Sequence, residues 1–384
     1  MTAQSDMTLK SAEVMRVNLP LASPVQLGAQ EISAREYIVL RLTLADGCEG
    51  FAYAYTRGLP LFEITVEAAR RYVGGSADMR CGLQAAAMGQ APAPHAALAR
   101  GVSLCDIALW GAWCRAVGKP LWKVLGGARE AAVAMPVIGY GMTPEKAASE
   151  TADLAARGFT VIKLMIDGRD PEADIAVMEA MAGALPPGCG FGIDAHWSWT
   201  SKAQAMRTCR AAERLGARFV EDPVAPARWR VAGEIAGEVP VPLAMGEDVT
   251  DIATLRDIAG VSAILRIDAS VMGGISGTRT AMALAQTFSR PVISHVFPAL
   301  HLHFALAAEG DMTVETILPE LGADPIDRFL LEQPRIENGM FHAGDTPGEG
   351  LRMDFDRLSD YAIQTERVTP VSYTHLTLPT IYSV

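Results

Sequence analysis

A parallel (β/α) barrel preceded by an α+β lobe is the fold the sequence predicts, and three observations predict it. From about Met135 short apolar runs recur, each closing on a polar residue, and amphipathic helical stretches separate them. No glycine-rich dinucleotide fingerprint follows an early run, which sets the doubly wound sheet aside. The length of 384 residues suits a large domain of roughly 200–250 residues joined to a smaller one.

The elements follow in order. Glu36 to Leu44 alternates, with Ile38, Leu40, Leu42 and Leu44 on one face and Tyr37, Val39, Arg41 and Thr43 on the other. Asp46-Gly47 supplies a turn and Gly50 to Tyr55 a returning strand. Phe62 to Val73 and His95 to Val117 read as helices, the second ended by Gly118-Lys119-Pro120. Eight β-runs then follow: Met135–Tyr140, Thr160–Ile166, Phe191–Asp194, Arg218–Glu221, Pro242–Glu247, Ala263–Asp268, Pro291–His295 and Thr313–Glu315. Between them lie helices such as Pro171 to Leu185, behind an Asp170 cap, and Lys202 to Leu215.

Composition narrows the function. Hydrophobic residues at 50% and charged residues at 20% describe a globular chain with material for a core. A formal net charge of −11 and the lack of a Lys/Arg cluster argue against nucleic acid. Six scattered cysteines without a CxxC pair argue against zinc clusters and a disulfide framework, and fit a reducing cytoplasm. Neither a signal peptide nor a membrane-spanning run is visible. The end of the chain, VSYTHLTLPTIYSV from Val371 to Val384, is polar and β-prone and resembles a translated sequencing-library adapter. It is therefore expected to be non-native, and its His375 is left out of the fold.

In a barrel the active site lies at the C-terminal ends of the strands. Lys163, Asp194, Glu221, Glu247, Asp268, His295 and Glu315 stand there, 20 to 31 residues apart in succession. Each gap fits one strand–helix unit, so seven side chains converge on one mouth. One strand-end acid is ordinarily a solvated loop residue. Three in consecutive units, Asp194, Glu221 and Glu247, repel one another unless a cation neutralises them, and oxygen ligands without Cys or clustered His favour Mg²⁺ over zinc. In Val161-Ile162-Lys163-Leu164-Met165 the alternation turns Lys163 into the barrel, where it needs an anionic partner that a substrate carboxylate would supply. Asp268 and His295 close neighbouring strands, and an Asp–imidazole pair suits a general base.

These residues resemble the mandelate racemase subgroup of the enolase superfamily over most of the chain, up to about residue 330. The lobe sequence Pro20-Leu21-Ala22-Ser23-Pro24-Val25-Gln26-Leu27-Gly28, the helix Ile107-Ala108-Leu109-Trp110, and Pro120-Leu121 leading to Leu125-Gly126-Gly127 are similar to that family's capping domain. Val220-Glu221-Asp222-Pro223, Gly246-Glu247, Asp268 with Gly273-Gly274-Ile275-Ser276, and Ser294-His295 are similar to its barrel. The resemblance implies a modified TIM barrel, (β/α)7β, over 129–322, a capping domain over 1–128, and a segment over 323–370 that returns to the cap, followed by the tail at 371–384. It implies Asp194, Glu221 and Glu247 as Mg²⁺ ligands, Asp268 and His295 as the catalytic dyad, and Glu315 and Lys163 on a substrate carboxylate. A homo-oligomer is expected too. The shared chemistry of such enzymes is removal of the proton next to a carboxylate, with Mg²⁺ stabilising the charge that develops.

Four departures bear on the reaction. Met165 replaces the second lysine of a Lys-x-Lys pair, Asp248 stands where Asn is common, Gly111 where Asp is usual, and the third strand reads Asp194-Ala195-His196. Racemisation needs a base on each face, whereas β-elimination needs one base and one acid. Related aldonate dehydratases carry a similar Asp-x-His, with the His as that acid. Taken as extended, the strand puts His196 on the side of Asp194; the alternative is a packed or solvated residue beside Trp197 and Trp199. The expectation is a hydro-lyase that dehydrates an acid sugar, aldonate or aldarate, with His295 as base and His196 as acid. The alternatives are an epimerase or cycloisomerase with Lys163 as second base, and a metal-binding homologue without turnover. Ser23–Leu27 and Tyr53–Pro60, Tyr55 among them, are expected to line the distal end of the pocket. Arg57 there fits either a second substrate carboxylate or a solvated surface.

Overall fold

The computed structural model describes residues 6–27, 30–89, 92–139 and 142–370. Gly28, Tyr140 and the tail with His375 lie outside the described residues, as does the side chain of His95.

The first lobe is an antiparallel sheet with helices on it. β1 (Leu9–Leu27), β2 (Gln30–Leu44) and β3 (Glu49–Tyr55) pair in sequence, and a fourth strand, Ala362–Val368, adds to the free edge of β1. Helices α1 (Leu61–Tyr72), α2 (Arg80–Met88), α3 (Pro92–Ala116) and α4 (Leu121–Val124) follow. The alternation of β2 buries Ile38, Leu40, Leu42 and Leu44; Tyr37 and Val39 on the other face are buried as well.

The barrel opens with β4 (Ala131–Ile138) and α5 (Pro144–Ala156), then β5 (Val161–Met165) and α6 (Pro171–Ala184). Next come β6 (Gly190–Asp194), α7 (Lys202–Arg214), β7 (Phe219–Glu221), α8 (Trp229–Ala236) and β8 (Leu243–Met245). α9 (Ile252–Ala259), β9 (Ile264–Ile267), α10 (Gly274–Thr287), β10 (Val292–Ser294), α11 (Pro298–Ala307) and β11 (Met312–Thr316) complete it. All eight strands pair in parallel, and β11 pairs with β4 to close the ring. Seven helices between eight strands make this the (β/α)7β form.

Local sequence sets the helix starts. Thr143 accepts from the Lys146 N–H, Asp170 from those of Glu172 and Ala173, and Asp251 from that of Thr254. Pro144 and Pro171 occupy the first helical position, where no N–H is needed. Inside the barrel Met135, Val161, Phe219, Ala244 and Ile293 pack as an apolar floor. Gly192 is required beneath it, because a Cβ there would stand 2.1 Å from the Phe219 ring. The inward positions above that floor carry the polar residues, so period-two alternation builds floor and site together.

β12 (Arg335–Glu337) and β13 (Met340–His342) extend the sheet antiparallel to β4, and α12 (Phe355–Ser359) leads to β14, the strand on β1. On that return path Glu349 accounts for the Gly111 departure. Its fully buried carboxylate accepts from the Phe51 N–H at 2.9 Å and from Arg115 Nη1 at 2.6 Å. A Cβ on Gly111 would lie 2.0 Å from Glu349 Oε2, so a distant acid fills the space where the helix lacks one.

Candidate active site

The strand ends bring the seven residues together. Met165 pairs with Asp194 across β5 and β6, and Asp194 with Glu221 across β6 and β7, which stacks their side chains around the mouth. Lys163 Nζ lies 3.0 Å from Asp194 Oδ2 and 2.7 Å from both Glu221 Oε1 and Glu315 Oε2. Its anionic partners in this structure are the protein's own carboxylates, so the partner the alternation calls for is present before any substrate binds. Burial pulls the Lys163 ammonium toward neutrality, but Asp194, Glu221 and Glu315 outweigh it and hold the proton firmly.

Sequence reasoning missed Arg266. Fully buried on β9, it places Nη2 at 2.7 Å from Glu315, 2.9 Å from Glu247 and 3.0 Å from Glu221, while Nη1 donates to the Ser294 carbonyl at 2.6 Å. The signal was present. In Arg266-Ile267-Asp268 the alternation that turns Asp268 inward turns Arg266 inward too.

Asp194, Glu221, Glu247, Asp268 and Glu315 are all buried, against the buried cations Lys163 and Arg266. Burial and neighbouring anions push Glu221 and Asp222 well above the usual carboxylate range. Asp194, Glu247 and Glu315 are raised by burial but lowered further by Lys163, His295 and Arg266 respectively, and end below it. Glu221 Oε2 and Asp222 Oδ1 have no hydrogen-bond partner. A surplus of buried negative charge with orphaned oxygens suits a hard dication, and the donor set is of the oxygen type that Mg²⁺ takes. Among the described residues no three His, Cys, Asp or Glu side chains are arranged to hold a metal as they stand, and the cation between Asp194 and Glu221 is Lys163.

His295 Nδ1 lies 2.8 Å from Asp268 Oδ2. Burial raises Asp268, but its bond to His295 and the charge there bring it down to about 2. Asp268 Oδ1 accepts from the Ser270 N–H at 2.7 Å, so the carboxylate is fixed from both sides. His301 accepts from the Ala269 N–H through Nε2 and donates Nδ1–H to the Val296 carbonyl; burial lowers its proton affinity and keeps it neutral behind the dyad. The outer nitrogen of His295, Nε2, accepts from Arg57 Nη2 at 3.1 Å.

His196 does not lie on an extended strand. β6 ends at Asp194, and His196 and Trp197 adopt left-handed φ values of 47° and 58°. The His196 N–H donates to Asp194 Oδ1 and the Trp197 N–H to the Asp222 carbonyl, which hold this costly turn in place. The premise of strand alternation fails, yet His196 reaches the same cavity by the turn, its ring 4.4 Å from that of Trp197.

That cavity, of about 590 Å³, is lined by Lys163, Met165, Asp194, His196, Glu247, His295 and Glu315 from the barrel. Tyr55, Thr56, Arg57 and Gly58 line it from the cap, joined by Ile32, Ala34, Arg35 and Glu36 of β2. Ser23, Pro24 and Val25 are not among its walls, so β2 takes the place expected of the first strand's tip. Gln26 and Leu27 have side chains outside the described residues. The Tyr55 hydroxyl donates to Asp324 at 2.7 Å, and the Tyr37 hydroxyl donates to the same carboxylate. Arg57 is neither free for a second carboxylate nor a solvated surface residue, since its Nη1 lies 2.8 Å from both oxygens of Asp248.

A closed parallel barrel with acids on successive strand ends and a cap across its mouth defines a class of capped barrel enzymes. The chain matches the family described as mandelate racemase / muconate lactonizing enzyme, N-terminal domain, over residues 10–126, and the enolase C-terminal domain-like family over 146–357. It belongs to the mandelate racemase/muconate lactonizing enzyme family of the enolase superfamily. Muconate cycloisomerase 1 of Rhodococcus opacus is 24% identical over 379 residues, 93% of this chain and 99% of its own. L-talarate/galactarate dehydratase of Salmonella typhimurium is 25% identical over 358 residues, 87% of this chain and 86% of its own. A racemase from Streptomyces coelicolor, solved with bound magnesium, superposes with a TM-score of 0.85 at 22% identity, covering 92% of this chain and all (100%) of that one. Relatives therefore include cycloisomerases, dehydratases and epimerases. Among the described residues no helix is long and apolar enough to cross a membrane.

Proposed function

We propose that this protein removes the α-proton of an acid sugar and expels its β-hydroxyl, yielding a 2-keto-3-deoxy acid. The observation that carries the reading is one cavity holding two imidazoles, His295 and His196, while Met165 stands where a second base would be needed. Asp194, Glu221 and Glu247 would hold Mg²⁺, which supplies Lewis-acid stabilisation of charge on the substrate carboxylate. Solved relatives carry Mg with sugar-acid ligands such as L-glucarate, which supports the assignment.

His295 takes the α-proton on Nε2, and Asp268 stabilises the imidazolium through Nδ1–H. The electron pair left on the α-carbon moves toward the carboxylate, then returns to form the Cα–Cβ double bond as the β C–O bond breaks. His196 gives its proton to the departing oxygen, which leaves as water, and the enol product becomes the 2-keto acid. Lys163 orients the substrate carboxylate, Glu315 holds Lys163 in place at 2.7 Å, and Tyr55 and Arg57 border the substrate from the cap. Lys163 is held protonated by three carboxylates, which disfavours its use as a second base in an epimerase or cycloisomerase.

Replacing His196 separates the steps. His196→Ala should still exchange the α-proton with D₂O, while dehydration slows by about 10²–10⁴-fold. An unchanged dehydration rate would make His196 structural; loss of exchange as well would make it a base or a support for the carboxylates.

A further inference from the structure

Asp248 follows Glu247 at the barrel mouth, and the cap answers it with two guanidiniums. Arg57 Nη1 grips both of its oxygens at 2.8 Å, and Arg100 Nη1 of α3 lies 3.8 Å from Oδ1. Arg57 sits just beyond β3 with a φ of 49°, a left-handed conformation that costs a non-glycine residue energy and that this grip holds in place. The other end of the same guanidinium, Nη2, is 3.1 Å from His295 Nε2 and 3.9 Å from Glu247 Oε1. The acid that departs from the usual Asn is therefore the anchor of a cap arginine laid against the imidazole.

We infer that Asp248 is a positioning residue that holds Arg57 against His295, and that Arg57 in turn selects substrates bearing oxygen rather than nitrogen on the carbon that loses its proton. This rests on the reading of His295 as the base. A carbon giving its proton to Nε2 must approach within about 3–3.5 Å of that atom. Its substituent then falls within reach of Nη2, which gives up its bond to the Nε2 lone pair as the carbon approaches and donates to the substituent instead. A guanidinium offers donors and no acceptor. A hydroxyl oxygen can accept from it, whereas an α-ammonium is repelled and an amide N–H meets another donor. The class selected is the 2-hydroxy acids, against 2-amino and 2-acylamino acids.

Two measurements test this. In protein labelled with ¹⁵N in its seven histidine rings, the Nε2 signal of His295 is identified by its loss in His295→Asn. It should move in both Asp248→Asn and Arg57→Lys while the other six rings stay put, because asparagine offers Arg57 Nη1 one acceptor oxygen instead of two and lysine has no second nitrogen to lay against His295. A signal unmoved in both variants overturns the positioning role, whatever the reaction proves to be. The second measurement is α-proton exchange in D₂O with Mg²⁺, on gluconate, galactarate and malate against 2-amino-2-deoxygluconate, aspartate and N-succinyl-glutamate. Wild type should exchange a hydroxy acid at least about 100-fold faster than any nitrogen-bearing acid. Asp248→Asn should lower kcat/KM for that acid by about 10–100-fold and narrow the preference, with Mg²⁺ affinity by calorimetry unchanged. An equal preference in wild type and variant overturns the selection by Arg57. Exchange of no acid by wild type overturns the selection together with the role of His295 as base, while a moved ring signal would still support the positioning.

Discussion

Replacing Arg266 by Met removes a fully buried guanidinium while keeping a side chain of similar reach. The cost follows from which carboxylates keep a partner. Glu221 and Glu315 retain Lys163 at 2.7 Å. Glu247 loses both Nη2 at 2.9 Å and Nε at 3.2 Å, and its remaining neighbours are the His295 ring at 3.6 Å and one cation, Arg57, at 3.9 Å. One buried carboxylate is left short of a counter-charge, which costs about 3–5 kcal/mol, not three times that. Against a typical total of about 5–15 kcal/mol this is a large fraction. Urea unfolding followed by tryptophan fluorescence measures it as a fall in midpoint at constant slope. The pH dependence has a definite sign. Glu247 and Glu315 are raised by burial but pulled lower still by His295 and Arg266, so their stabilisation is present above the unfolded carboxylate range near pH 4.5 and is lost as pH falls. The gap between wild type and Arg266→Met should therefore persist from pH 7 to pH 5 and narrow only as pH falls below about 4.5. A loss under about 1 kcal/mol at pH 7, at unchanged slope, would refute the view that these carboxylates depend on Arg266.

Chelation should abolish turnover and Mg²⁺ restore it, with Glu221→Gln showing a smaller Mg²⁺-induced rise in Tm than wild type; full activity in chelator would remove the metal from the reading. Asp106, buried and raised to about 7 by burial despite bonds from Ser276, penalises folding when ionised. Its contribution is therefore lost as pH rises from about 4 to 7, on the order of 2–3 kcal/mol between pH 5 and pH 8. His303, pushed down to about 4 by burial, acts with the opposite sign between pH 4 and 6.5, so the test is the difference in urea midpoint between wild type and Asp106→Asn across that range. Gly111→Ala should destabilise by about 1–3 kcal/mol through collision with Glu349, and less so in a Glu349→Ala background, as a double-mutant cycle would record.

Much of this was legible because a barrel strand repeats every two residues and ends at the site. The seven strand-end residues were found by that rule, and the Asp268–His295 pair by adjacency of strands. What escaped depended on turns and on chain segments distant in sequence. His196 reaches the cavity through two left-handed residues that alternation cannot foresee, and Glu247 is re-aimed at Gly246, whose φ of 131° suits only glycine. The Arg57–Asp248 contact spans 191 residues, and no local pattern carries it. Arg266 was overlooked for a different reason. A buried arginine is improbable on its own and becomes reasonable only once three carboxylates are placed around it.

The pairing of β14 with β1 makes the cap a discontinuous unit, and this constrains synthesis on the ribosome. After β1 to β3 emerge, the outer edge of β1 waits for a partner roughly 300 residues downstream, or about 15–60 s at about 5–20 residues per second. Throughout that interval Ala12 to Val17 offer an unpaired strand edge, the kind of surface on which nascent chains associate wrongly. The Phe51 N–H waits for Glu349 across 298 residues and Arg115 across 234. Ribosome-bound chains stalled before residue 362 should therefore hold a completed barrel beneath a cap that is still open to protease.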